Sequence, residues 1–255
     1  MNVLDLFSGI GGFSLGLERA GMRTVAFCEI DPYCQAVLRR HWPDVPVYDD
    51  VRTLTGERLR AGGIAAQVIC GGFPCQDLSR AGYGGGLAGE RSGLWSEFAR
   101  LIGELRPNYA IVENVAALLD REMGTICGDL AAIGYDAEWS TISACSVGAP
   151  HMRQRVFVVA YPDSEHGRPR VRNTTAHAFR PLQAIDGFEG SRAGWRARLA
   201  HPSALYGGAD GLSNRLDRNR ALGNAVVPQI PEIIGRAILN GTRSVGPPGE
   251  LRSRL

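Results

Sequence analysis

Val3-Leu4-Asp5-Leu6-Phe7-Ser8-Gly9-Ile10-Gly11-Gly12 is the stretch that decides the fold. Its first four residues read as a buried strand, and the next six as a glycine turn opening a helix to about Arg19, closed by Gly21. Thr24-Val25-Ala26-Phe27-Cys28 makes a second strand ending at Glu29, 20 residues after Gly9. Strand, glycine loop, helix, strand and acid is the order of a nucleotide-binding βαβ unit, in which the carboxylate accepts hydrogen bonds from ribose hydroxyls. The unit predicts an α/β chain and an adenosine-bearing ligand without naming the cofactor. A nicotinamide dehydrogenase would begin in much the same way.

Downstream, Asp31-Pro32 reads as an N-cap with Pro at the first helical position, opening a helix toward His41. A short extended stretch, Val45-Pro46-Val47-Tyr48, ends at Asp49 and Asp50. Gln67-Val68-Ile69-Cys70 is a further buried strand, and it opens into Gly71-Gly72-Phe73-Pro74-Cys75-Gln76-Asp77-Leu78-Ser79. Ligands of open α/β sheets bind outside the carboxyl ends of the strands, which is where Cys75 is expected. Pro74 fixes its own φ and biases Phe73 toward extended geometry, so the thiol leaves a stiff dipeptide. A lone cysteine is also commonly a small buried hydrophobe, and the strand by itself leaves both readings open.

Residues 76–93 carry Gly82, Gly84, Gly85, Gly86 and Gly89, a composition suited to a lid. A helix is expected from Ser92-Gly93-Leu94-Trp95 to about Leu105. The strand Tyr109-Ala110-Ile111-Val112 then delivers Glu113 to the same edge as Cys75, with Asn114 bracing the loop beyond. A helix over 123–133 and a strand over 135–143 come next. Arg153 and Arg155 share one face of an extended segment leading into the apolar run Val156–Ala160, so both can enter the cleft or sit as surface charge.

Composition narrows the classes. No apolar run of about 18 residues occurs, and Met1-Asn2-Val3-Leu4 leads straight into a strand, so a cytoplasmic protein with no membrane role is expected. The six cysteines show no metal spacing, so reduced thiols and no metal site are expected. All 28 basic residues are Arg, a bias that a genome rich in G and C would produce unaided. Residues 1–150 hold 12 Arg against 18 acids, whereas residues 151–255 hold 16 Arg against 8. An arginine-rich half suits a phosphate backbone, because guanidinium groups grip phosphate bidentately and release counterions; a solvated basic tail would give the same count.

Three motifs together carry a resemblance. Asp5-Leu6-Phe7-Ser8-Gly9-Ile10-Gly11-Gly12-Phe13, Gly72-Phe73-Pro74-Cys75-Gln76 with Ser79, and Val112-Glu113-Asn114-Val115 resemble, in that order, the DNA cytosine-5 methyltransferases. Residues 149–160 resemble the family's Gln-x-Arg-x-Arg motif before a strand, with His151 where Gln is usual. Ala221-Leu222-Gly223-Asn224-Ala225-Val226-Val227-Pro228 resembles the last family motif, whose Gly-Asn turn closes the cofactor pocket. The resemblance covers roughly 1–160 and 215–239. It implies a Rossmann-like S-adenosylmethionine-dependent methyltransferase sheet with a small, irregular target-recognition segment. The implied parts are a catalytic and cofactor domain over 1–160, recognition over 161–214, a return over 215–240 with a terminal helix from Pro228 to about Leu239, and a disordered tail over 241–255.

The resemblance also implies roles. S-adenosylmethionine would lie among Phe7, Gly9, Gly11, Gly12, Glu29, Ile30, Asp50, Val51, Phe73, Pro74, Leu94, Asn224, Ala225 and Val226, with Glu29 on the ribose and Asp50 on the adenine amine. Cytosine C5 is a weak nucleophile, so a Cys75 thiolate adds to C6 and makes C5 enamine-like. Glu113 keeps a proton and holds N3 and the exocyclic amine, while Arg153 and Arg155 favour the thiolate and hold the base O2 and phosphate. The substrate implied is a flipped-out cytosine in double-stranded DNA, with the glycine-rich loop closing over it, and a cognate restriction endonuclease is an implied partner. Two alternatives remain open. One is a tRNA cytosine-5 methyltransferase, from which Phe73 leans away. The other is a DNA-binding protein that has lost catalysis or works with a recognition subunit, motivated by His151 and the short segment 161–214.

Overall fold

The structure, a computed structural model, describes residues 1–74, 93–149, 151–163 and 221–243. Strand β1 (Asn2–Leu6) passes through the glycine turn into α1 (Gly12–Arg19), and then come β2 (Arg23–Cys28), α2 (Pro32–His41), β3 (Val47–Tyr48), α3 (Gly56–Ala61) and β4 (Val68–Gly72). After it come α4 (Gly93–Leu105), β5 (Tyr109–Val115), a single turn α5 (Leu118–Arg121), α6 (Met123–Ala132), β6 (Tyr135–Ser143), β7 (Gln154–Pro162) and, after a helical turn at 221–224, α7 (Gln229–Arg243).

The seven strands form one sheet in the order β3-β2-β1-β4-β5-β7-β6. The first five run parallel, and β7 runs antiparallel between β5 and β6. Strand residues alternate between two cores. Leu4, Ile69, Ala110 and Val112 pack on one face with Phe98, Leu101 and Leu130, and Val3, Val68, Cys70 and Ile111 on the other with Leu17, Ile234 and Ile238. A sheet covered on both faces needs apolar residues at successive positions, which is why these strands read as unbroken apolar runs.

Local signals place the helices. Asp31 caps α2 by accepting from the backbone N–H groups of Tyr33 and Cys34, with Pro32 in the first turn. Thr55 caps α3 by accepting from the Arg58 N–H; neither α3 nor α5 was expected from the sequence. Helices α1 and α7 meet closely, since a Cβ on Gly16 would lie 2.2 Å from the Pro228 carbonyl oxygen and one on Gly235 2.8 Å from the Ala20 Cβ.

Strand β5 runs three residues past Val112, so Glu113 and Asn114 lie inside the sheet rather than after it. The terminal helix extends to Arg243, beyond the expected end near Leu239 and into the stretch expected to be a disordered tail. Cys75, the glycine-rich loop to Ser92, and residues 164–214 of the expected recognition segment lie outside the described residues.

Candidate active site

The carboxyl ends of β1, β2, β4 and β5 face a cleft of about 690 Å³. At the β1 end a backbone turn shapes its floor. Phe7 adopts φ 51°, uncommon for a side-chain-bearing residue, and Gly9 adopts φ 54°. Glu29 is buried, and its Oε2 accepts from the Gly9 N–H at 2.7 Å while Oε1 accepts from the Asp31 N–H at 2.8 Å. The carboxylate thereby joins the glycine turn to the start of α2, and each oxygen keeps a second lone pair for a ligand hydroxyl. Asp50 accepts from the Arg52 N–H at 2.9 Å and from its guanidinium at 2.8 Å, and this pairing with Arg52 lowers its pKa from the ordinary carboxylate value.

Phe7, Gly9, Gly12, Glu29, Ile30, Asp50, Val51, Phe73, Pro74, Leu94, Asn224, Ala225 and Val226 all line the cleft. Gly11 does not. A Cβ there would lie 2.7 Å from the Trp42 ring, so its absence makes room for the residue that ends α2.

At the other end side chains shape the surface. Glu113 on β5 lies opposite Gly72 on β4, and a Cβ on Gly72 would meet Glu113 Oε2 at 2.6 Å. Glycine at 72 leaves room for the carboxyl in its present position. Because β7 is antiparallel, its first residues return to the edge where the parallel strands end, and Arg155 pairs opposite Val115. Arg155 Nε lies 3.0 Å from Glu113 Oε1, close enough for an ion pair but without hydrogen-bond alignment, so Oε1 is buried with no hydrogen bond among the described residues. Burial raises the Glu113 pKa from its ordinary value, against the attraction of Arg155 and Arg153.

Asn114 reaches back toward β4 rather than bracing the loop beyond β5. Its Nδ2 donates to the Phe73 carbonyl at 3.1 Å, and its Oδ1 accepts from the Val115 N–H at 2.8 Å. Pro74 has no N–H to extend the ladder, so this side chain orients the last peptide before Pro74. Arg153 donates through Nη1 to the Gly223 carbonyl and through Nη2 to that of Asn224 at 3.0 Å. His151 is exposed, and the desolvation its ring keeps, then the Arg153 charge, lowers its pKa from the ordinary value.

One group escaped the sequence reading. Asp5 is fully buried in β1, its Oδ2 accepting from the Ser14 N–H at 3.2 Å and the Ser14 hydroxyl at 2.7 Å, while its Oδ1 has no hydrogen bond among the described residues. Burial pushes its carboxyl up to about 7. An acid inside an otherwise apolar run was the available signal.

Among the described residues, no helix is long and apolar enough to cross a membrane, and no cluster of three or more His, Cys, Asp or Glu could hold a metal ion.

Residues 1–187 match the model of the C-5 cytosine-specific DNA methylases. The chain belongs to this family. Among similar curated members, the type II methyltransferase M2.BsuMI of Bacillus subtilis is 38% identical over 168 residues, covering 63% of this chain and 42% of that one. The type II methyltransferase M.NgoMIV of Neisseria gonorrhoeae is 32% identical over 212 residues, covering 77% and 65%. The chain spans about half the length of the curated relatives it matches. In fold it is similar to a DNA modification methyltransferase encoded within an E. coli prophage, with a TM-score of 0.64 at 20% identity over 95% of this chain and 99% of that one. The S. pombe Dnmt2 methyltransferase gives 0.65 at 17% identity over 95% and 99%. The C-5 methylase family and the methyltransferase sheet expected from the sequence are thus both present.

Proposed function

We propose that the protein transfers a methyl group from S-adenosylmethionine to C5 of a flipped-out cytosine in double-stranded DNA, through a covalent bond between Cys75 and C6. The observation that carries this reading is Glu113, a buried carboxyl with a raised pKa, held beside Arg155 and lining the cleft next to the strand that leads into Phe73-Pro74. A carboxyl that holds a proton can donate to cytosine N3 while its other oxygen accepts from the exocyclic amine, which draws electrons from the ring and favours addition at C6.

The cleft's donor set fits the cofactor. Glu29 and Asp50 supply carboxylates for ribose hydroxyls and an exocyclic amine, and Phe7, Ile30, Val51 and Leu94 supply apolar walls for a purine. When bound, S-adenosylmethionine would supply an electrophilic methyl group. The Cys75 sulfur forms a bond to C6, leaving C5 enamine-like and nucleophilic. After C5 is methylated, loss of its proton lets the C6–S electron pair return to sulfur and re-forms the C5–C6 double bond. Asn114 aims the Phe73–Pro74 peptide from which Cys75 departs, and Arg155 lies against Glu113 Oε1. The basic excess over 151–255 supports a DNA grip. Relatives carrying type II names support pairing with a cognate restriction endonuclease.

The test is incubation with tritium-labelled S-adenosylmethionine and mixed genomic DNA, with tRNA in a parallel tube, and bisulfite mapping of the product. Label at cytosine C5 in a recurring short DNA sequence is expected. Cys75→Ser should reduce it by more than about 10³-fold while binding S-adenosylmethionine within about 2-fold of wild type. Label confined to tRNA, or a Ser variant that still turns over, would sink the proposal.

A further inference from the structure

Arg153 and Arg155 flank Gln154 at the start of β7, yet their side chains are engaged differently. Arg155 pairs with Glu113. Arg153 instead joins residues 221–226, its two terminal nitrogens donating to the carbonyls of Gly223 and Asn224. Residues 221–224 are helical, and the helix ends there before the chain passes to Pro228. A helix ends with carbonyls that have no partner along it. A guanidinium offers two N–H ends and a positive charge, a match for two consecutive carbonyls at a helix C-terminus.

Beyond that helix end lies the cofactor side of the cleft. Asn224, Ala225 and Val226 line it, and the Val226 carbonyl oxygen lies 2.5 Å from where a Cβ on Gly12 would stand, so the returning segment rests directly on the glycine turn. We infer that Arg153 is a positioning residue for cofactor binding: it fastens residues 223–226 against the glycine turn and does not touch the base. This assignment rests on the methyl-transfer reading but divides its two arginines, giving Arg155 the base side through Glu113 and Arg153 the cofactor side through two backbone carbonyls.

The test measures S-adenosylmethionine binding by calorimetry without DNA, beside the single-turnover methylation rate at saturating cofactor and the melting temperature. Arg153→Met keeps the apolar stem. It should weaken S-adenosylmethionine binding by about 10- to 100-fold while the saturated rate stays within about 3-fold. Arg155→Met should do the reverse. Arg153→Lys, which keeps the charge but lacks the fork, should fall between wild type and Arg153→Met in binding. If Arg153→Met melts too low to assay, Arg153→Lys carries the test, since undiminished cofactor binding in it overturns the inference. So does an Arg153→Met protein that binds normally and loses its rate. A wild-type protein that binds no S-adenosylmethionine overturns the methyl-transfer reading itself and this inference with it.

Discussion

The two ends of the cleft are built from different material. Beside β1 and β2 a backbone turn shapes the surface, with positive φ at Phe7 and Gly9 and the N–H groups of Gly9 and Asp31 converging on Glu29. Beside β4, β5 and β7 it is mostly side chain: Glu113 over Gly72, Arg155 next to it, and Asn114 on the Phe73 carbonyl. A backbone-built surface is coupled to the fold, because the dihedrals that shape it also shape the chain. Side chains project from a frame that the strand ladders already hold. Substitutions at the first end should therefore lower stability and cofactor binding together, and those at the second should lower rate and spare the fold.

The largest effect should come from the side-chain end. Glu113→Gln should slow single-turnover methylation by about 10²- to 10⁴-fold while the melting temperature and S-adenosylmethionine binding stay near wild type. Because the active form holds a proton, the wild-type rate should fall as pH rises through the elevated Glu113 pKa, a limb that the Gln variant lacks. Parallel losses of rate and cofactor binding would erase the division between the ends.

Two alanines sharpen it further. Gly72→Ala drives a methyl into Glu113 Oε2 at 2.6 Å, and Gly12→Ala drives one into the Val226 carbonyl at 2.5 Å. The first neighbour can rotate away, so Gly72→Ala should cost about 10- to 100-fold in rate with only a small drop in melting temperature. The second is backbone, so Gly12→Ala should destabilise by about 1–3 kcal/mol and weaken S-adenosylmethionine binding. Thermal melts with calorimetry distinguish them, and indistinguishable profiles for the two would break the distinction.

Asp5 bears on the pH dependence of stability. It is a buried carboxyl like Glu113, but it faces Ser14 and Cys70 behind the glycine turn rather than the cleft. With its folded pKa raised to about 7, the native state holds the proton more tightly than the unfolded chain, so this group's contribution falls as pH rises from about 4 to about 7. Asp5→Asn removes that dependence. Relative to wild type, the Asn variant should gain about 2–3 kcal/mol in urea unfolding on going from pH 5 to pH 8. A difference that does not change between the two pH values would mean that Asp5 ionises freely in the fold.

Several of these features were legible in the chain. The first βαβ unit announced itself because glycines, the helix cap and the acid are read over short spans, and Asp31-Pro32 marked the start of α2 for the same reason. Glu113 stood out as an acid ending an apolar strand within a recognisable motif. Its setting was not legible. That β5 continues to Val115 depends on pairing with β7, a strand about forty residues later, and so does the arrival of Arg155 beside Glu113. That Gly11 also makes room for Trp42, a contact between segments about thirty residues apart, was not legible either.

Local chemistry, then, was set by the sequence alone: which residues turn, which cap, which strands are buried on both faces, and which groups can react. Backbone preference and hydrophobic period act over a few residues and need no partner. The tertiary structure decided the rest: the order of strands, the antiparallel insertion of β7, the clearance above Gly72, and the division of two neighbouring arginines between a carboxylate and a pair of carbonyls. Those depend on which distant segments meet, and a side chain's pKa and partners are set by its surroundings rather than by its place in the chain.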